Sequence, residues 1–261
     1  MITLAKRKTI MLNIRHDLLK KPLELKKTHD FCLSGKPELT IVFLHGIASD
    51  SSSFKNTLKY LEGTTSLKNV RFVTYDLLGS GKSYKNNKMN YDYDDQLTAL
   101  ENSLSKLKID TPLIIVGHSM GTLIATKYAT NNKKAVQKLI LCSPPIYTET
   151  DLDNPAFSIA MEGFKKIVSA KNHSIVKEKS FINSIEKIVK DRKNYKRLAE
   201  LTVPTIIIYG DEDQIIASYN IPGVIKANKY LTAIKTAGKH SMSREKYTKI
   251  KEILEEMLYG N

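Results

Sequence analysis

The sequence predicts an α/β protein: a mostly parallel sheet with helices on both faces and a small helical insertion. Three observations carry this prediction. Short apolar runs alternate with helically spaced apolar residues along most of the chain, as strand–helix–strand units require. The pentapeptide Gly117-His118-Ser119-Met120-Gly121 lies between an apolar run, Leu113-Ile114-Ile115-Val116, and a helical pattern over 122–129. The alternation then stops between Pro144-Pro145 and Val203-Pro204, where the pattern is helical throughout.

Taken in order, the elements read as follows. Extended segments are expected around residues 11–15 and 23–27, and an apolar strand over 40–44. A polar stretch, 48–53, leads into a short helix, and 70–75 is the next strand. Leu97, Leu100, Leu104 and Leu107 recur at helical spacing. That helix delivers the chain to Thr111-Pro112 and the strand over 113–116. Residues 138–142 form another apolar strand. Asn154-Pro155 is a helix start, a capping residue followed by proline in the first turn. Phe157, Met161, Phe164 and Val168 then share one apolar face, and Phe181, Ile185 and Ile188 share another. Residues 206–209 form a strand running into the acidic turn Gly210-Asp211-Glu212-Asp213. The strand over 230–235 leads to Gly238-Lys239-His240, and a C-terminal helix begins near Ser243. The expected division is a core of 1–145 and 201–261 with an insertion of 146–200.

Bulk properties fit one such domain. A chain of 261 residues can bury a large core. Its 41% apolar and 26% charged residues are ordinary for a globular chain. Two cysteines, Cys32 and Cys142, imply no disulfide framework, so a reducing cytoplasm is the expected location. Lys6, Arg7 and Lys8 precede an apolar run that ends at Leu12, too short for a signal-peptide core, and no stretch is suited to spanning a membrane. The formal charge of +14 is the unusual quantity. Its lysines are spread along the chain, so a solvated basic surface accounts for them, with a weak attraction to anionic surfaces as a consequence. No nucleic-acid motif accompanies the charge, so nucleic acid is not an expected partner. No His/Cys/Glu spacing suggests a metal site.

The chemistry concentrates at the pentapeptide. G-x-S-x-G between a strand and a helix is a nucleophile elbow. Its glycines allow a tight turn and close helix–strand packing, which exposes the serine at the carboxyl end of the sheet. A serine hydroxyl is a poor nucleophile without a base and an acid that orients the base. The acidic turn at 211–213 and His240 each follow a strand, where open α/β sheets carry their chemistry. Asp211, Glu212 and Asp213 all compete for the acid role. His118 is expected to pack locally, and His16, His29 and His173 show no partner pattern.

Together with Leu44-His45-Gly46-Ile47 and Asp76-Leu77-Leu78-Gly79-Ser80-Gly81-Lys82-Ser83, these residues resemble the α/β-hydrolases of the esterase, lipase and haloperoxidase-like group. The resemblance runs from about residue 40 to the end. It implies the α/β-hydrolase fold, with Ser119 as nucleophile, His240 as general base and Asp213 as orienting acid, favoured by its spacing after the glycine. It assigns the oxyanion hole to the backbone N–H groups of Ile47 and Met120, and gives His45 and Asp76 structural roles. It makes 146–200 a cap over the serine, whose Phe157, Met161 and Phe164 would line the substrate pocket or simply pack. The implied activity is hydrolysis of a small-molecule carboxylic ester through an acyl-enzyme, with no cofactor. The same triad serves thioester, amide, lactone and carbon–carbon bonds, so the fold does not choose the bond. A slow-turnover ligand-binding or regulatory protein is the reading from another class. The chain departs from the esterases that carry a Gly-Gly-Gly run after the oxyanion-loop histidine.

Overall fold

The computed structural model describes residues 22–86, 88–171 and 178–260, excluding the side chains of 164 and 167–171. Seven strands form one sheet: β1 (Lys26–Phe31), β2 (Leu39–Leu44), β3 (Val70–Asp76), β4 (Leu113–His118), β5 (Lys138–Cys142), β6 (Thr205–Gly210) and β7 (Leu231–Thr236). Their order is β1-β3-β2-β4-β5-β6-β7. β1 pairs antiparallel with β3, and every other neighbouring pair is parallel. The segment expected at 11–15 lies outside the described residues. The one expected at 23–27 is shifted: the paired strand starts at Lys26, because Leu23 and Leu25 are buried and the Leu25 N–H donates to Ser103 Oγ at 2.8 Å.

Central strands buried on both faces need apolar residues at every position. β2, Leu-Thr-Ile-Val-Phe-Leu, is buried along its whole length. Its alternate residues feed two separate cores, because successive side chains point to opposite faces. Val42 and Leu44 pack with α2 (Tyr93–Lys106) and α3 (Met120–Asn131), whose Leu97, Leu100, Leu104 and Ile124 are buried there. Ile41 and Phe43 pack on the other face with Leu58 and Leu61 of α1 (Lys55–Glu62) and with Ile250, Ile253 and Leu254 of the C-terminal helix, Arg244–Tyr259. Helices therefore cover both faces, as the alternation of the sequence predicts.

Between β5 and β6 the chain leaves the sheet for α4 (Glu149–Asp153), α5 (Pro155–Lys171), α6 (Glu178–Ser184), a π-helical turn (Ile185–Val189) and α7 (Asn194–Ala199). Thr148 and Asp151 close a capping box at the start of α4. Asn154 Oδ1 accepts the Ala156 N–H at 2.9 Å and so caps α5 as its sequence predicts. Phe181, Ile185 and Ile188 are buried, which seats α6 and the π turn. Polar bonds reinforce the seat: Asn183 Nδ2 donates to Asn90 O at 2.7 Å, and Tyr93 Oη donates to Asn194 Oδ1 at 2.6 Å. After β6, α8 (Ile221–Ala227) leads to β7, and α9 (Arg244–Tyr259) ends the fold.

One sequence expectation changes in detail. His29 does have a partner: its Nε2 lies 2.5 Å from Glu62 Oε1, tying β1 to α1. His16 and His173 lie outside the described residues. Cys142 is buried in β5, where burial pushes its thiol up to about 12, and Cys32 is half-buried; neither is in a disulfide. No helix among the described residues is long and apolar enough to cross a membrane.

Candidate active site

Four strand ends meet at the carboxyl edge of the sheet. β4 ends in His118 and the chain turns at Ser119, whose φ of 50° and ψ of −123° lie in a region that side-chain-bearing residues rarely occupy. The turn is enforced by contact. A Cβ on Gly117 would lie 2.6 Å from the Thr122 backbone, and one on Gly121 would lie 2.1 Å from Leu44 O. Only glycine fits at either place, so α3 packs tightly on the sheet and Ser119 is thrust outward. The Ser119 N–H donates to Cys142 O at 2.9 Å, and its carbonyl accepts from Thr122 N at 2.9 Å and Thr122 Oγ1 at 2.6 Å. The strained residue is therefore held on both sides.

The loop after β2 passes directly above. A Cβ on Gly46 would sit 3.0 Å from Ser119 Cβ. This brings the backbone of Ile47 beside the serine. Among the described residues, neither the Ile47 nor the Met120 N–H donates to a protein acceptor. His45 fixes the loop from below. Its Nε2 accepts the Leu77 N–H at 2.9 Å, and its Nδ1–H donates to Gly46 O at 2.7 Å. Burial lowers its pKa, and the acceptor role of Nε2 needs the neutral ring. Asp76, buried at the end of β3, accepts from Ser51 N at 2.9 Å and Lys82 N at 2.7 Å. It ties together two loops and makes no contact with His240.

Asp213 and His240 approach from β6 and β7. His240 Nδ1 lies 2.9 Å from Asp213 Oδ2 and 3.1 Å from Oδ1. The Asp213 side chain has no accessible surface. Burial alone would raise its pKa, but the bond and charge of His240 and the Ile215 N–H outweigh this and hold the carboxyl below its ordinary value. The buried Ser143 hydroxyl favours the same charged form, although it falls outside strict hydrogen-bond geometry. Asp211 has a different task. Its Oδ1 accepts the Gly238 N–H at 3.0 Å and so shapes the loop that carries His240. Glu212 points elsewhere and is exposed.

His118 packs against this loop rather than facing Ser119 as a base. Its Nε2–H donates to His240 O at 2.9 Å, and the two rings lie 5.0 Å apart. The His118 ring is enclosed by protein, although one edge keeps some accessible surface at the cavity. Burial first, and His240 second, push it down to about 3.

Ser119 and His240 open onto one cavity of about 840 Å³. No Ser119–His240 hydrogen bond is formed. The far wall comes from the helical excursion: Phe157 and Met161 of α5, with Ile185 and Val189 of the π turn. Phe164, expected on the same wall, lies outside the described side chains. The sequence did not single out Tyr147, Ile215 or Tyr219, which complete the rim. Tyr147 Oη donates to Ile215 O at 3.0 Å and stacks edge-on against Phe157, with ring centroids 4.7 Å apart. Among the described residues no group of three or more His, Cys, Asp or Glu side chains is placed to hold a metal ion.

Comparison with known proteins fits this geometry. The family model described as "Serine aminopeptidase, S33" matches residues 35–240. The chain is 32% identical over 144 residues to a probable lysophospholipase, BODYGUARD 5, of Arabidopsis thaliana, covering 55% of this chain and 32% of that one. It is 25% identical over 212 residues to Lipase 1 of Psychrobacter immobilis, covering 70% and 64%. The chain thus spans about a third of the length of the plant relative and under two thirds of the bacterial one. Among solved structures, the enol-lactonase from Burkholderia xenovorans LB400 has a TM-score of 0.69 at 17% identity, covering 90% of this chain and 96% of the other. An esterase from Exiguobacterium antarcticum has a TM-score of 0.67 at 20% identity, covering 88% and 93%. At such identities these likenesses speak for the fold alone. The family match, the sheet order and the strained elbow agree: the chain belongs to the serine aminopeptidase S33 family of α/β-hydrolases.

Proposed function

We propose that the chain hydrolyses a carboxylic ester through an acyl-enzyme on Ser119. The observation that carries this is the arrangement at one cavity: a serine on a strained elbow, a loop backbone pressed over it, and a buried carboxylate–imidazole pair opposite. Ser119 Oγ attacks the carbonyl carbon while His240 takes its proton. Asp213 holds the imidazole in the tautomer that can accept it and stabilises the cation that forms. The Ile47 and Met120 N–H groups receive the developing oxyanion. His240 then protonates the departing alcohol, and water activated by the same imidazole releases the acid. No cofactor enters this sequence.

The family description raises a second reading, cleavage of an N-terminal amide. A substrate with a protonated amine needs a carboxylate to receive it, since an unpaired buried charge is costly. The cavity lining among the described residues holds no Asp or Glu. It holds Phe157, Ala160, Met161, Ile185, Val189 and Ile216 instead. That surface suits an apolar acyl chain, and the names of the lipase and lysophospholipase relatives agree with it. In this reading residues 146–200 act as a cap and the core is formed by 1–145 and 201–261. Two cysteines without a disulfide suit a reducing compartment, so cytoplasmic residence is part of the proposal.

The test is turnover of p-nitrophenyl esters of graded acyl length beside a thioester and an aminoacyl amide. Multiple turnovers on esters, preferring longer chains, are the expected result. Faster cleavage of the aminoacyl amide would overturn it. A single turnover that changes affinity for a partner would instead mark a regulatory protein.

A further inference from the structure

The strongest feature that this mechanism leaves unused is a lysine. Lys246 lies in the first turn of α9 and has no accessible surface. It lies against the loop after β7, whose backbone it meets. A buried ammonium is normally paired with a carboxylate. Among the described residues Lys246 makes no salt bridge; its three N–H donors go to backbone carbonyls. Nζ donates to Lys239 O at 2.6 Å, His240 O at 3.0 Å and Ser241 O at 2.8 Å. These are His240 and its two chain neighbours. The His240 carbonyl also accepts from His118 Nε2. The loop is further fixed by Gly238, whose N–H donates to Asp211 and whose carbonyl would stand 2.0 Å from a Cβ on Gly210.

The geometry points to Lys246 as the positioning residue of the general base, its charged amine setting where the His240 imidazole stands relative to Ser119. The inference rests on His240 being that base. Three convergent carbonyls demand three donors. An ammonium has three and a neutral amine two. Loss of the proton therefore releases one carbonyl of the loop while removing no donor from Asp213 or Ser119. Burial lowers the Lys246 pKa from 10.5, so this release begins at a lower pH than for an exposed lysine. The groups facing it are His118 of β4, Cys142 of β5, Asp213 after β6, His240 after β7, and Glu245 of its own helix. His118 is pushed down to about 3 and Cys142 up to about 12, and the two carboxylates are charged throughout. Among these groups Lys246 carries the ammonium, and burial brings the loss of its charge below the ordinary lysine range.

The experiment compares wild type with Lys246→Met and Lys246→Gln on p-nitrophenyl acetate. A base displaced by about an ångström costs on the order of a hundredfold. The expected result is a fall of about that size in kcat for Lys246→Met and a smaller fall for Lys246→Gln. KM should change by less than about threefold, because the loss lies in the transition state. Wild-type kcat should also fall reversibly on the alkaline side at unchanged near-ultraviolet circular dichroism, and folded Lys246→Met should lack that limb. Folded variants with kcat within about twofold of wild type, or the same limb persisting in Lys246→Met, would overturn the inference. If neither variant folds, the wild-type limb decides alone, and its absence overturns it. His240→Asn separates the two readings. If it stays active, His240 is not the base. If it is inactive while Lys246→Met is unaffected, only the role of Lys246 falls.

Discussion

The two walls of the cavity are built on different principles. The wall that carries Ser119, Asp213 and His240 is made of strand ends, each fixed by backbone contacts at van der Waals limits and by hydrogen bonds to buried partners. The opposite wall is made of short helices, seated by a few apolar anchors such as Phe181 and Ile185 and edged with exposed ion pairs such as Lys165–Glu186. Exposed pairs contribute little to stability. One wall therefore specifies positions to fractions of an ångström, while the other specifies shape and apolar character. A rigid wall suits bond chemistry, and a replaceable one suits choice of substrate.

The difference can be broken most sharply at Ser119. Ser119→Ala should lower ester turnover by more than about a thousandfold with little change in Tm, because the elbow backbone is kept. Near-full activity in the purified variant would refute the assignment. Next comes the acid pair. Asp213→Asn should cost on the order of ten thousandfold by offering His240 the wrong tautomer and no charge. Asp211→Asn weakens one bond to the Gly238 N–H and should stay within about tenfold of wild type. The reverse ranking in kcat would move the orienting acid to Asp211.

On the helical wall the expected effects are smaller and selective. Phe157→Ala and Met161→Ala should lower the octanoyl-to-acetyl rate ratio by about fourfold for each methylene left unburied, at ~0.8 kcal/mol apiece. The acetyl rate should hardly move. Equal losses on all esters, with lowered Tm, would mean that these residues only pack. The smallest effect expected is on stability in acid. His118 stays neutral in the fold down to about pH 3, whereas the unfolded chain takes up that proton below about 6.5. The unfolded state binds more protons in this window, so stability falls as pH drops through it. In His118→Gln, which keeps a donor toward His240 O, the urea midpoint should fall less between pH 7 and pH 4. His45 preserves part of the slope, since burial holds its ring neutral as well. An undiminished pH dependence in the variant would show that His118 is not held neutral.

The two walls also differ in how far the sequence reveals them. Ser119, Asp213 and His240 are legible because each follows a short apolar run, and a parallel sheet brings the carboxyl ends of such runs together. Phe157 and Met161 are legible as i and i+4 on a capped helix. The rest of the rim is not. Tyr147, Ile185, and Ile215 with Tyr219, come from three segments whose meeting depends on tertiary packing that no local period encodes. The π turn at Ile185–Val189 also breaks the helical spacing used to assign that face. Lys246 reads as one more solvated lysine among many. Its signal was present, because a cation in the first turn of a helix opposes the helix dipole and calls for another reason to be there.

Among the described residues, the sheet ends in two edge strands, β1 and β7. An unpaired strand edge is a template onto which another chain can hydrogen-bond. β1 presents Lys26, Lys27 and Asp30 to solvent, and its register shifts between Lys27 and His29, which breaks the ladder a newcomer would need. β7 exposes Lys235, preceded by Lys229, whose ammonium lies over the Tyr230 ring at 5.4 Å. Strand addition at either side would strip water from these charges and bring like charges together. Part of the lysine excess thus stands where it opposes fibre-like polymerisation, a colloidal duty separate from any substrate or partner.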